Sequence, residues 1–298
     1  MKKVVIFGGA GTIGLCLIKY LLVEGKYEIS VVDLKNKKNL KKLKKYKRRV
    51  NVILIENYDN ILIDALVKTH DYIVCLATCL PPLASLKEGL SDSIEYDLIS
   101  LLCKSINYYN VNARLIYGSS TSIYKDSSNK ISIDKSEYFE NTKIKCENLI
   151  MKKCKNYCII RVPLVLSNLN EDPFIYNIED NDDVECITKE DAAYAFCKAM
   201  SKANNMILDI GGIKEKYKYI VNGILKYYGL SFSYVLNKIF IPKTYVSPFL
   251  KGSSKSNELL EYKNDSLDSY FMRLKRNSKN RKANLFLGKI VLKFRKDK

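Results

Sequence analysis

The 298-residue sequence predicts an α/β fold: a doubly wound parallel sheet with a smaller C-terminal lobe. Three observations carry this expectation. Short continuous apolar runs recur along roughly the first 215 residues, as in strands buried on both faces. Segments with apolar residues at helical spacing lie between them, the rhythm of repeated β-α-β units. A cluster of four glycines joins the first run to the first helix.

Val4-Val5-Ile6-Phe7 is the first strand, and Ile13 to Val23 the first helix, closed by Glu24-Gly25. Ile29 to Asp33 is the second strand, so the unit needs a right-handed crossover and parallel pairing. Residues 35–49 form a solvated basic helix or loop. Val50 to Ile55 is strand-like, Asn60 to Lys68 helical and Tyr72 to Ala77 strand-like. A long helix covers Ile94 to Tyr109, followed by a strand from Ala113 to Tyr117. A helix from Phe139 to Lys153 precedes the strand Tyr157 to Val162. After Pro163 the regularity fades: Asn170 to Asp183 reads as loop, Asp191 to Ala203 as helix, Met206 to Ile210 as a short returning strand. The expected division is 1–165 for the larger, sheet-bearing domain, with 185–212 returning to it. The smaller lobe takes 166–184 and 213–298.

The chain carries a net charge of +18, but unevenly. Ten Lys/Arg and no acid lie between Lys35 and Arg49, and the segment from Lys251 to Lys298 is also strongly basic. The rest is near neutral, which argues against a protein that coats nucleic acid, and no nucleic-acid module is present. Nine Cys without a C-x-x-C pair read as buried thiols in a reducing compartment, so no disulfide framework or zinc site is expected. One His excludes a multi-His metal centre. Lys2-Lys3 and the apolar run behind them imitate a signal peptide, but the run is broken by glycines and Lys19. No stretch is long and apolar enough to span a membrane, so a cytoplasmic location is expected.

Gly8-Gly9-Ala10-Gly11-Thr12-Ile13-Gly14 contains both G-x-G-x-x-G and G-x-x-G-x-x-G between a strand and a helix. The first glycines permit the tight turn, Gly11 lets a pyrophosphate reach the backbone, and Gly14 allows close helix packing. The helix N-terminus then faces the phosphates. Asp33, at the end of the second strand, is placed to accept hydrogen bonds from ribose hydroxyls, which favours NAD. Lys35 and the basic run behind it argue the other way, for the 2′-phosphate of NADP.

These and several later segments resemble the extended short-chain dehydrogenase/reductase family, which includes NAD-dependent nucleotide-sugar epimerases and dehydratases. The resemblance covers residues 1–215 and implies a Rossmann-type fold. Leu54-Ile55-Glu56-Asn57-Tyr58-Asp59 looks like the family's adenine-contacting segment, which assigns Glu56 and Asn57 to the cofactor. Asp71 to Thr78 is similar to its fourth strand, placing Leu76, Ala77 and Thr78 beside the cofactor. Arg114-Leu115-Ile116-Tyr117-Gly118-Ser119-Ser120 resembles its fifth strand and aligns Ser120 with the catalytic Ser/Thr. Ile160-Arg161-Val162-Pro163 and Glu185 to Ala193 resemble the passages to and from the substrate lobe.

In that family a Tyr and a Lys one helical turn apart share a face, and the Lys both binds the nicotinamide ribose and lowers the Tyr pKa. Lys143 fits the family's Lys. The Tyr position is then Phe139, which cannot transfer a proton. Three readings stay open: Tyr138 substitutes from a neighbouring face, Tyr124 or another side chain supplies the proton, or cofactor is bound without the redox step. Tyr194/Lys198 and Tyr234/Lys238 have the right spacing but lie outside the expected helix. A second departure is Glu95-Tyr96-Asp97-Leu98, where family members often carry Asn-x-x-Gly. The resemblance implies a nucleotide-sugar or similar substrate and allows a homodimer.

Two features remain. Glu179-Asp180-Asn181-Asp182-Asp183 lacks calcium-loop spacing and reads as a solvated loop. Asn284 to Lys296 mixes apolar residues and cations. Packing on the second lobe is favoured there over peripheral contact with an anionic membrane.

Overall fold

The structure, a computed structural model, describes residues 1–80, 84, 89–131, 138–167, 175–177, 183–228, 240–244 and 247–276. A seven-stranded parallel sheet is its centre: β1 (Lys2–Phe7), β2 (Tyr27–Leu34), β3 (Asn51–Ile55), β4 (Tyr72–Cys75), β5 (Arg114–Ser120), β6 (Tyr157–Val162) and, after an excursion, β10 (Met206–Asp209). Their order is β10-β6-β5-β4-β1-β2-β3. Val4 to Phe7 have no exposed surface. That burial on both faces is why β1 reads as an unbroken apolar run.

The strand order reverses between β1 and β4, where crossover helices leave to opposite faces and a crevice opens at the carboxyl ends. On one face lie α1 (Thr12–Glu24) and α6 (Lys189–Lys202), sharing a core of Leu17, Ile18, Leu21, Phe196 and Met200 with the sheet. On the other lie α3 (Asn60–Thr69), α4 (Asp97–Tyr109) and α5 (Tyr138–Lys153), around Ile63, Leu102, Ile106 and Ile150. The basic run folds as α2 (Lys37–Leu43) and a 3₁₀ turn through Tyr46; Asn36 caps it by accepting from the Asn39 amide (2.8 Å). Leu43, Tyr46 and Val50 are buried and fix the segment, while most of its cations face solvent.

The long helix expected from Ile94 does not start as one. Asp92–Tyr96 form a π-helical turn that runs into α4. Nor is the chain after Pro163 irregular: β7 (Leu164–Leu166), β9 (Asp183–Thr188) and β11 (Ile213–Lys216) form a second sheet, with β9 between the other two. It packs on α7 (Tyr217–Tyr228) and α9 (Leu267–Arg276) through Cys186, Ile220, Tyr270 and Leu274. These strands are three to six residues long and pair with distant partners, so local pattern gives little sign of them. A short parallel pair, β8 (Ile175–Asn177) with β12 (Phe240–Thr244), and α8 (Ser253–Leu260) complete the described elements. The acidic run, apart from Asp183, and the Asn284–Lys296 segment lie outside the described residues, as does Tyr234/Lys238. Among the described residues no helix is long and apolar enough to cross a membrane, and no cluster of His, Cys, Asp or Glu has metal-holding geometry.

Candidate functional site

The glycine turn sits at the mouth of the crevice. Gly8 has φ +79°, a left-handed conformation, and a Cβ there would lie 2.6 Å from the Ala77 amide nitrogen. The ends of β1 and β4 can therefore touch only through glycine. A Cβ on Gly14 would meet Gly9 Cα at 2.7 Å, so α1 can close onto the turn only without a side chain at that position. Gly11 is exposed and is the N-cap of α1. No side chain caps the helix and no acid lies in its first turn. The first-turn amides of Thr12, Ile13 and Gly14 lack intrahelical acceptors and face outward with the positive end of the helix dipole. That is a receptive seat for a pyrophosphate, and the chain thus fits the dinucleotide that its glycine spacing predicts.

Asp33 closes the turn from β2. Its Oδ2 accepts from the Ala10 amide (2.7 Å), and its Oδ1 accepts from the Leu34 amide (2.8 Å) and Asn39 Nδ2 (2.9 Å). Burial pushes its carboxyl pKa up, opposed by those amides and by the charge of Lys42. Lys35, the cation nearest Asp33 in sequence, pairs instead with Glu56 (3.1 Å). Lys42 is the cation that reaches the turn, donating to the Ala10 carbonyl (2.9 Å). Sequence reasoning missed both Lys42 and Asn39. Their signal was helical spacing from the cap at Asn36, which turns them back toward β1. Glu56 and Asn57 are exposed just beyond β3; Leu76 and Thr78 are half-buried and Ala77 buried beyond β4.

The second half of the site forms where β5, α5 and the π-helical turn meet. Lys143 is 2% exposed. Its ammonium donates to Glu95 Oε1 (2.5 Å) and to the Gly118 carbonyl (2.9 Å). Tyr117 donates to the same Glu95 oxygen (2.6 Å), and Thr78 Oγ1 to the other (2.7 Å). Glu95 has no exposed surface. The Phe139 and Tyr117 rings flank the ammonium, at 5.3 and 5.2 Å from ring centre to Nζ. Asp92 binds the π-helical turn to α5, accepting from Thr142 Oγ1 and from Lys145 Nζ (2.6 Å). Phe139 is buried against Cys79 and Ala84. Tyr138, one residue earlier, is half-buried and about 100° away around the helix.

Ser120 ends β5 and is buried; its Oγ shares a hydrogen bond with Ser122 Oγ (2.9 Å) and accepts from the Ser122 amide. Tyr124 is drawn into a different network. Its hydroxyl donates to Asp209 (3.0 Å) and accepts from Arg161 Nη1 (2.5 Å). Burial and the Asp209 charge push that phenol up to about 12, which argues against it as a base near neutrality. Arg161 makes a fork to Glu147, Nε to Oε1 (2.9 Å) and Nη2 to Oε2 (2.6 Å), and Ser119 donates to Glu147 Oε1 (2.6 Å). The site therefore brings together Lys143, Thr78 and Glu95, and leaves Tyr124 outside.

The chain as a whole resembles nucleotide-sugar enzymes in three dimensions. A UDP-glucuronic acid 4-epimerase of Bacillus cereus, solved with UDP-glucuronic acid and NAD, superposes with a TM-score of 0.71 at 17% identity, covering 92% of this chain and 99% of that one. A variant of that epimerase with one tyrosine replaced by phenylalanine, solved with UDP-4-deoxy-4-fluoro-glucuronic acid and NAD, gives 0.71 at 18% identity over the same shares. A dTDP-glucose 4,6-dehydratase of Streptomyces venezuelae, solved with NAD bound, gives 0.74 at 15%, over 94% of this chain and 98% of that one. No curated protein sequence matches. The model of the NAD-dependent epimerase/dehydratase family matches residues 4–176, from the first strand through α5 and beyond β7. With more than half its length matched, this chain belongs to the NAD-dependent epimerase/dehydratase family.

Proposed function

We propose that the protein binds NAD in the crevice between β1 and β4 and acts on a hydroxyl or carbonyl carbon of a nucleotide sugar, as an epimerase or dehydratase does. The glycine turn carries this reading, with its uncapped helix N-terminus and Asp33 closing it. NAD is favoured over NADP because Asp33 presents a carboxylate where a 2′-phosphate would come; Lys42 is the counterweight. Gly8, Gly11, Thr12, Ile13 and Gly14 would hold the pyrophosphate, Asp33, Glu56 and Asn57 the adenosine end, and Leu76, Ala77 and Thr78 the nicotinamide end. Bound NAD would supply the hydride acceptor.

The side chains can then be given roles. Two donors of the Lys143 ammonium are taken by Glu95 and Gly118, which leaves one to orient a cofactor hydroxyl. The buried Ser120 hydroxyl lies at the carboxyl end of β5, where it would bond the reacting oxygen. Tyr138, half-buried at the start of α5, is the candidate phenol for the proton. Purified protein is expected to take up NAD, and at least one of a panel of UDP- and dTDP-sugars is expected to be turned over or to raise reduced-nicotinamide absorbance transiently before the hydride returns to the sugar. Bound NAD without reduction or turnover across the panel would falsify the enzyme reading for those substrates. Phe139 favours a second reading, a protein that holds NAD and senses it or scaffolds a partner; that outcome would support it.

A further inference from the structure

The two departures from the expected site, Phe139 and Glu95, meet at one atom. Lys143 Nζ lies 2.5 Å from Glu95 Oε1, and its nearest aromatic neighbours are Phe139 and Tyr117. Such contact between buried opposite charges turns a cation into a dipole, whose field falls off faster than that of a lone charge. Glu95 is held in place from three directions, by Lys143 of α5, Tyr117 of β5 and Thr78 beyond β4. Its backbone sits in a π-helical turn tied to α5 through Asp92, so the carboxylate cannot swing away without breaking several bonds. π-Helical turns inside or beside helices recur at functional positions.

We infer that Glu95 is a positioning residue that holds the Lys143 ammonium in an internal ion pair. Positions 95 and 139 are therefore one coupled unit, and a phenol restored at 139 alone meets a quenched cation. A tyrosine there is activated by Lys143 only when the charge of Glu95 is also removed. Among the described residues, the other titratable groups packed around this point are the Tyr117 phenol and the Cys75, Cys79 and Cys146 thiols. Burial raises all four above their ordinary values, with the Glu95 charge as a further cause, so none replaces the ammonium as an activating charge.

The inference rests on the reading above only for the importance of position 139. Its test uses cofactor-free protein, so a failure to bind NAD or turn over sugars leaves the outcome unaffected. The variants are F139Y, E95Q and the double variant F139Y/E95Q, each titrated by near-ultraviolet phenolate absorbance. Subtracting the parent with Phe at 139 isolates the new phenol. In F139Y it is expected to titrate at or above the ordinary value of about 10. In F139Y/E95Q its midpoint is expected to fall by roughly 1–3 pH units, a 10- to 1,000-fold rise in acidity. Adding K143M to the double variant is expected to abolish that fall. Equal midpoints in F139Y and F139Y/E95Q overturn the coupling. Should E95Q prevent folding, F139Y alone decides: a midpoint lowered by two units or more, to about 8 or below, shows an unquenched cation and overturns the inference.

Discussion

Arg161 and Glu147 show at the residue scale what the interior spends on order rather than chemistry. The pair is buried, forked and shared with Ser119, Tyr124 and Asp209, and it ties α5 to β6 beneath the candidate site. Removing one member leaves an uncompensated charge, so R161M is expected to lose about 3–5 kcal/mol of unfolding free energy in urea. A loss under about 1 kcal/mol would show that the network is solvated and not structural. Arg161 stood in the sequence inside a matched strand, yet nothing local marked it as an ion-pair partner. Glu95 was visible as a departure for the same reason that its role was not. A carboxylate acquires meaning from Lys143, which is 48 positions away in the chain.

Elements follow the sequence where their signal is local. The turn from β1 into α1 was legible because its glycine spacing is a local pattern, although the atoms that forbid a Cβ at Gly8 and Gly9 belong to Ala77 and Val31. The start of α6 was legible as a helix, but its anchor was not. Asp191, in its first turn, accepts from the amides of Asn264 and Asp265 and so holds the approach to α9 against the first domain. Burial, opposed by those two amides, leaves its carboxyl raised to about 6. An unfolded Asp titrates near 3.9, so the native state binds this proton more tightly. Its contribution is then fully present below about pH 4 and is lost as pH rises through about 6. D191N removes the titration. Between pH 4 and 7 the wild type is expected to lose up to about 3 kcal/mol relative to D191N in denaturant unfolding. Parallel pH profiles for the two proteins would contradict this.

The whole molecule was legible as a doubly wound sheet because strands buried on both faces cannot hide their apolar runs. Its second sheet was not, since β7, β9 and β11 are three to six residues long and pair with distant partners. The net charge of +18 also takes on a place here. Nine exposed cations lie on and around α2, next to Asp33, while Lys42 alone turns inward to the glycine turn.

None of the nine cysteines is in a disulfide and all are buried, on both faces of the main sheet, in the second one and beside Phe139. The molecule therefore carries its own set of opening reporters. A water-soluble thiol reagent is expected to label none of them in the folded protein and all of them in denaturant. When reclosing outpaces labelling, each thiol reacts at a rate set by the fraction of time its surroundings are open. On the NAD-binding reading proposed above, NAD at about 100 times its dissociation constant would then slow the thiols exposed by global opening about 100-fold. Cysteines that do not slow mark regions that open without releasing the cofactor. Labelling each site in turn would map which layers of the fold NAD holds together.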